Sequence, residues 1–353
     1  MRLTGRNAPH QVDIKSATHH NQWAKNCTVS FIETPKFHVC ATFENDCCVT
    51  GQTGRCCWPK NVVNLPLPVG AGFTSAFGPI REGVDVDYSA ILILACVFIP
   101  LERLLPLHSE QPLLRRNFAN DLFYLLFNGF VVRAGSTVLF GAVMAGFRQY
   151  VDPASTAWVM DQPIWAQAIA VIVIADIGYY TAHRTFHAVP FLWKFHSVHH
   201  SIEEMDWLAT HRVHPVDQIL SNAMSLLPIY FIGFSPAAIA IYLTLYQGQA
   251  LLVHSNVRLN FGPFKYLFAS PEYHHWHHAN QPEAYDRNFA SQLSIIDLVA
   301  GTMFLPKRRP EKYGLTEPMP DNYPQQMIYP FAAILKRPKG QISSKGNSHE
   351  QET

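Results

Sequence analysis

The sequence predicts an all-α fold: a multi-pass bundle of transmembrane helices with a cytoplasmic helical cap that carries a histidine-rich di-metal site. Three observations predict it. Charged residues make up only 15% of the 353 residues while 48% are hydrophobic, against roughly 25% charged in soluble domains. The apolar residues are gathered into blocks long enough to cross a bilayer, which takes about 20 residues of helix. Twelve of the 18 histidines fall between 183 and 278, many at the three- and four-residue spacings that share a helix face.

Residues 1–85 read as a disordered extension or a start site placed too early. They are polar and hold six of the seven cysteines, Cys27, Cys40, Cys47, Cys48, Cys56 and Cys57. The doublets do not match the CxxC pairs of a zinc site, and no basic segment followed by an apolar one marks a secretory signal. A membrane domain is expected over 86–306. Tyr88–Leu101 is a short first apolar run, and Arg115 and Arg116 after it mark the cytoplasmic side. Asp121–Phe147 is long enough to span, with Arg133 facing protein or snorkelling. Trp165–Ala182 is the next span, and Asp176 near its end is expected to point at the histidines or a neighbouring helix. The 36 residues 218–253 contain no Asp, Glu, Lys or Arg and are interrupted by Pro228, Gly233 and Pro236. They read as a hairpin that returns His254 to the side where His214 begins it. Lys307, Arg308 and Arg309 agree with a cytoplasmic placement, and 307–353 reads as a polar tail.

The histidines form clusters at ligand spacing: His183 and His187; His196, His199 and His200; His211 and His214; the single His254; and His274, His277 and His278. His275 points about 100° away from its cluster on a helix and is left out. This is too many imidazoles for one zinc, which takes four ligands, so two metals are expected. Imidazole suits iron, zinc, copper or nickel alike. No HExxH is present, and no cysteine lies near the clusters to ligate a haem or an iron–sulfur centre. Two redox-active irons would use every cluster. Asp176, Asp217 and Asp297 are candidates to accept imidazole N–H groups, with a helix cap or surface pair as the alternative for each. Tyr179, Tyr180, Trp193 and Trp207 are channel-lining candidates or, more simply, interfacial anchors. Glu203, Glu204 and Asp206 read as a solvated loop face. A net charge of +1 argues against a nucleic-acid partner. Two rival classes are a metal transporter, which would place ligands in mid-span, and a di-zinc hydrolase, which would need Glu203 or Asp206 as a base.

The motifs HRTFH (183–187), HSVHH (196–200), HRVHP (211–215), His254 and PEYHHWHH (271–278) occur in the order found in a known family. The chain resembles the membrane fatty acid hydroxylase/sterol desaturase superfamily over roughly 88–306. Asp286, Asn288, Asp297 and Gly301–Thr302 resemble its D-x-N…D…GT segment. The resemblance implies a di-metal centre, normally iron with zinc able to replace it on expression, and dioxygen as co-substrate. It implies hydroxylation or desaturation of a lipid of sterol, fatty acyl, alkylglycerol or carotenoid type. It implies an integral protein of a bacterial inner membrane or the endoplasmic reticulum with its site on the cytoplasmic face. His214–Pro215 continues Val–Asp rather than the HPGG of a fused cytochrome b5-like domain. The electron donor is therefore expected to be separate: cytochrome b5-like, ferredoxin-like or a pterin.

Overall fold

Proline, glycine and capping residues cut the chain into helices, some joined by short turns and others by longer loops. The computed structural model describes residues 88–335, so the expectations for 1–85 and for the last residues of the tail lie outside it. Its helices are α1 (Tyr88–Leu104), α2 (Phe118–Phe147), α3 (Pro153–Met160), α4 (Ile164–Ala188), α5 (Pro190–His200), α6 (Pro215–Ile232), α7 (Pro236–His254), α8 (Pro271–His277), α9 (Ile295–Ala300) and α10 (Tyr323–Leu335). Among the described residues the only β pairing is two isolated bridges, Pro106 with Val257 and Ala279 with Tyr313.

Three of these helices, α2, α4 and α7, are long and apolar enough to cross a membrane. At about 1.5 Å per residue, the 30 residues of α2 reach roughly 45 Å, beyond a hydrocarbon core of about 30 Å. A π-helical turn at Tyr124–Asn128 interrupts it. The outer faces expose large apolar side chains such as Val138, Ile169 and Leu245. Such a surface is unfavourable in water and matched in lipid.

Of the three residues expected to interrupt the hairpin, Gly233 and Pro236 make the turn and Pro228 lies within a helix. α6 runs through Pro228 and ends at Gly233, whose φ of 88° is a left-handed conformation open to glycine. Ser235 then caps α7 by accepting from the Ala238 amide, with Pro236 at the first helical position. Between the helices lies a core of Phe140 from α2, Val171 and Ala175 from α4, Leu226 and Ile229 from α6, and Ile239 and Tyr242 from α7. α4 and α6 approach so closely at Gly178 that a Cβ there would overlap the Met224 carbonyl group.

Five local expectations change. α4 extends past Ala182 to Ala188, so His183 and His187 ride on the spanning helix itself. Asp206 is buried, not solvated. Arg115 bonds its two oxygens at 2.6 Å each, and also bonds Asp121 at 2.6 Å. Arg212 closes the set on Asp121 at 2.5 and 2.7 Å, so two buried cations face two buried anions, the condition for keeping charge in an interior. Arg115 therefore belongs to the packing, and only Arg116 of that pair is exposed. Trp207 stacks on Phe98 inside the bundle instead of anchoring an interface. The expected polar tail contains α10, which packs on α5 and buries Gln326 beneath the Tyr124 hydroxyl.

Candidate metal centre

Val189 takes an extended conformation before Pro190, as a residue preceding proline tends to. This turns the chain sharply from α4 into α5 and sets the α5 histidines beside the last turns of α4. The hairpin returns His254 at the end of α7. Ser270 and Pro271 start α8, which supplies the last cluster.

Nine of the eleven candidate histidines gather in two groups. His183, His187, His196, His200 and His277 form one, and His199, His254, His274 and His278 the other, the ligand nitrogens in each lying within 4.8 Å of one another. The sequence clusters are divided between them. α5 gives His196 and His200, four apart, to the first group and His199 to the second. α8 and its C-cap do the reverse, giving His274 and His278 to the second and His277 to the first. Positions i and i+4 differ by about 40° around a helix while i+3 and i+4 differ by about 100°. Each helix can therefore address two centres.

The outward nitrogens fix the inward ones. His183 Nδ1 donates to the Phe289 carbonyl at 2.7 Å, His277 Nδ1 to Arg287 at 2.7 Å and His199 Nδ1 to Arg212 at 3.0 Å. His254 Nδ1 donates to Ala250 at 2.8 Å, His196 Nδ1 to Asp217 at 2.7 Å and His187 Nδ1 to Asp286 at 3.2 Å. A carbonyl or carboxylate only accepts, so in these six neutral rings Nε2 carries a lone pair. Yet Nε2 of His183 lies 2.9 Å from Nε2 of His196, and Nε2 of His199 lies 3.1 Å from Nε2 of His254. The Nε2 atoms of His187 and His277 are buried with no partner. Lone pairs aimed at each other repel unless a cation sits where they converge. The donor set thus fits soft to borderline metal ions. Burial pushes His199 down to about 4 and holds His200, His274, His277 and His278 well below the usual imidazole range, with neighbouring rings adding to the effect. All are neutral and ready to ligate near pH 7.

The remaining expected residues go elsewhere. His214 caps α6: its Nδ1 accepts from the Val216 amide at 3.2 Å and its Nε2 donates to Met327 at 3.2 Å, which leaves no nitrogen for a metal. His211 stands outside both groups with its Nε2 buried and unpartnered. Of the three acids only Asp217 meets an imidazole. Asp176 accepts from the amides of Ser291, Gln292 and Leu293 and from the Ser291 hydroxyl. Asp297 accepts from the Tyr273 hydroxyl, the Phe289 and Ala290 amides and Thr302 Oγ1. Both tie the 288–302 loop to the helices rather than orienting a ring.

The D-x-N segment at 286–288, just before and into that loop, supplies further supports. Asp286 and Asn288 have φ of 56° and 61°, a region that Asn and Asp tolerate better than most residues. Asn288 bonds the backbone of Tyr273 and Phe304 and holds the chain in place. Its neighbours Arg287 and Phe289 then present carbonyls to His277 and His183, and Asp286 its carboxylate to His187. The hydrogen bond from His187 holds Asp286 below the usual carboxylate range.

Two cavities reach the groups from different sides. One, of about 340 Å³, runs among α2, α6 and α7 and touches His196, His199, His254 and His274; Tyr179 lines it. The other, of about 390 Å³, touches His187, His200 and His277 and is lined by Trp193 and Tyr329. Tyr180 instead bonds Thr302 at 3.1 Å.

A helical bundle with three membrane-length helices and two convergent imidazole groups at one end defines an integral membrane protein with a candidate metal site. Residues 168–302 match the sequence profile of the family described as Fatty acid hydroxylase. It is 29% identical over 289 residues to the Ornithine lipid hydroxylase OlsE of Rhizobium tropici, across 78% of this chain and 86% of the relative. It is 32% identical over 144 residues to the Alkylglycerol monooxygenase of Homo sapiens and 31% over 160 residues to that of Xenopus tropicalis. Those matches cover 41% and 45% of this chain and 32% and 35% of the relatives, so the chain spans about a third of their length. No solved structure matches it.

Proposed function

We propose that this protein is a membrane-bound oxygenase that inserts one atom of dioxygen into a lipid C–H bond, using two iron ions held by the two histidine groups. The convergence of Nε2 atoms, six of them backed by an Nδ1–H donated outward, is the observation that carries the reading. The balance is R–H, dioxygen, two electrons and two protons giving R–OH and water, with the electrons supplied by a separate donor. Bound there, the metals would supply the redox chemistry for dioxygen that no side chain offers.

The protein's own residues do the rest. The carbonyls of Phe289, Arg287, Arg212 and Ala250 fix the ring orientations, and Asp217 and Asp286 raise the basicity of His196 and His187. The first cavity opens among apolar helices, which suits a lipid, and the second approaches the other group from outside those helices. The relatives named as a hydroxylase and as monooxygenases favour hydroxylation over desaturation. We place the site at the cytoplasmic face of a multi-pass bundle, in keeping with Arg116 and Lys307–Arg309.

The rivals fit less well. The groups lie at the ends of α4 and α7 rather than at mid-span, as a transport path would need. Asp206 is spent on Arg115, and Glu203 lines neither histidine cavity, so neither acid expected as a hydrolase's base is placed to serve. The test is oxygen uptake by purified protein in lipid nanodiscs with a chemical reductant, read beside lipid mass spectra. A gain of one oxygen in a lipid, lost in His199→Ala and in His277→Ala, is expected. Uptake without a lipid product, or full turnover in both variants, overturns it.

A further inference from the structure

The first cavity is more polar than a bare hydrocarbon chain requires. Asn222 and Gln247 line it, as do Ser221, Thr210 and Gln218, which already bond Asp217, the Ala250 carbonyl and Asn128. A polar wall among apolar helices is costly unless something occupies its hydrogen-bonding capacity. The sharpest case is His211. It stands outside both metal groups, lines the cavity beside His199, His254 and His274, and has an Nε2 with no partner. His214, three residues on, has both nitrogens satisfied, so the neighbourhood can satisfy an imidazole and does not do so for His211. Burial pushes His211 down to about 4, leaving a neutral ring able to donate one hydrogen bond and accept another.

We infer that His211 is a substrate-binding residue rather than a metal ligand, and that this cavity seats the polar linkage of an acyl lipid. An amide or ester group, with a carbonyl oxygen for an imidazole N–H, is the ligand class that fits. The lipid then lies with its linkage at His211 and with carbons near that linkage facing the His199–His254–His274–His278 group. Oxidation falls close to the linkage instead of far down the chain. This rests on the oxygenase reading for its chemistry, but the binding does not need turnover.

The test uses two probes in detergent micelles, N-palmitoylethanolamine for the amide and hexadecane for the chain alone, with retention read by native mass spectrometry. The wild-type protein is expected to hold the amide lipid and not hexadecane. His211→Leu should weaken that binding about ten-fold or more, since it leaves a buried carbonyl without its donor, and His211→Gln should restore part of it. Metal content of both variants should equal that of the wild type. Loss of a metal ion in His211→Leu would make His211 a ligand and overturn the inference. Equal retention of the two probes by the wild type, or unchanged amide binding in His211→Leu, would overturn it too. Failure of the oxygenase reading appears separately, as absent oxygen uptake with these binding results intact.

Discussion

Asp217→Asn separates the two histidine groups by experiment. The Asp217 carboxylate accepts from His196 Nδ1 at 2.7 Å and from Ser221 Oγ at 3.2 Å, and both partners of the ring contact are buried. Asparagine keeps an oxygen for the ring N–H but loses the charge that makes Nε2 more electron-rich. Removing such a support costs about 10–100-fold in metal affinity, or about 1.4–2.8 kcal/mol. That agrees with about 1.5–3 kcal/mol for a hydrogen bond to a charged group. His196 belongs to the first group alone, so the cost should fall on one ion. In a chelator titration followed by elemental analysis, one metal should leave Asp217→Asn at an about 10–100-fold lower chelator concentration and the other at the wild-type value. A release curve that overlays the wild type, or one in which both ions shift together, would refute the idea that His196 serves one centre through Asp217.

The other expectations are briefer. His199→Ala and His277→Ala should each abolish turnover and each lower the metal content at its own group, which elemental analysis of the purified variants checks. Gly178→Ala places a methyl against the Met224 carbonyl group and should destabilise the α4–α6 contact by about 1–3 kcal/mol, seen as a lower thermal midpoint in detergent. His275 bonds the Tyr313 hydroxyl at 3.0 Å and the Ser255 carbonyl at 3.1 Å. Burial, helped by His108, pushes it from 6.5 down to about 3. Between those two values the unfolded chain takes up the proton and the folded one does not, so stability falls as pH falls. This residue should account for about 2 kcal/mol of loss by about pH 5. Metal-free His275→Gln should therefore lose less stability on acidification than metal-free wild type; equal slopes would remove His275 as the cause.

The sequence by itself determined the class of fold and the ligand types. Apolar blocks such as 121–147 can satisfy their backbone in a membrane only as helices, and a histidine repeat at helical spacing survives as pattern whatever the tertiary arrangement. His254 was assignable because the uncharged stretch before it had room for two helices. Burial of Asp206 and Trp207 was not legible. A loop carboxylate has the same local sequence whether it meets water or a cation, and the partner of Asp206, Arg115, comes from a segment 91 residues earlier in the chain. Nor was the role of the carbonyls at Arg212, Ala250, Arg287 and Phe289 legible, since every residue has one and only the fold aims it.

Only the tertiary structure decided which imidazoles share a group. Spacing says that His196, His199 and His200 lie near one another on α5, but it cannot say that His199 turns to His254 while its neighbours turn to His183. That division follows from α4, α5, α7 and α8 meeting at one end of the bundle, with the roughly 100° between adjacent residues opening each helix toward two sites. The stretch 183–200 holds four of the five histidines of the first group and one of the second. The rest come from residues as far on as 278, carried back by the hairpin. Residue type and spacing mark the candidate ligands, but His211 and His214 share both and stay outside the groups, so membership of a group and partition between groups are properties of how the helices pack.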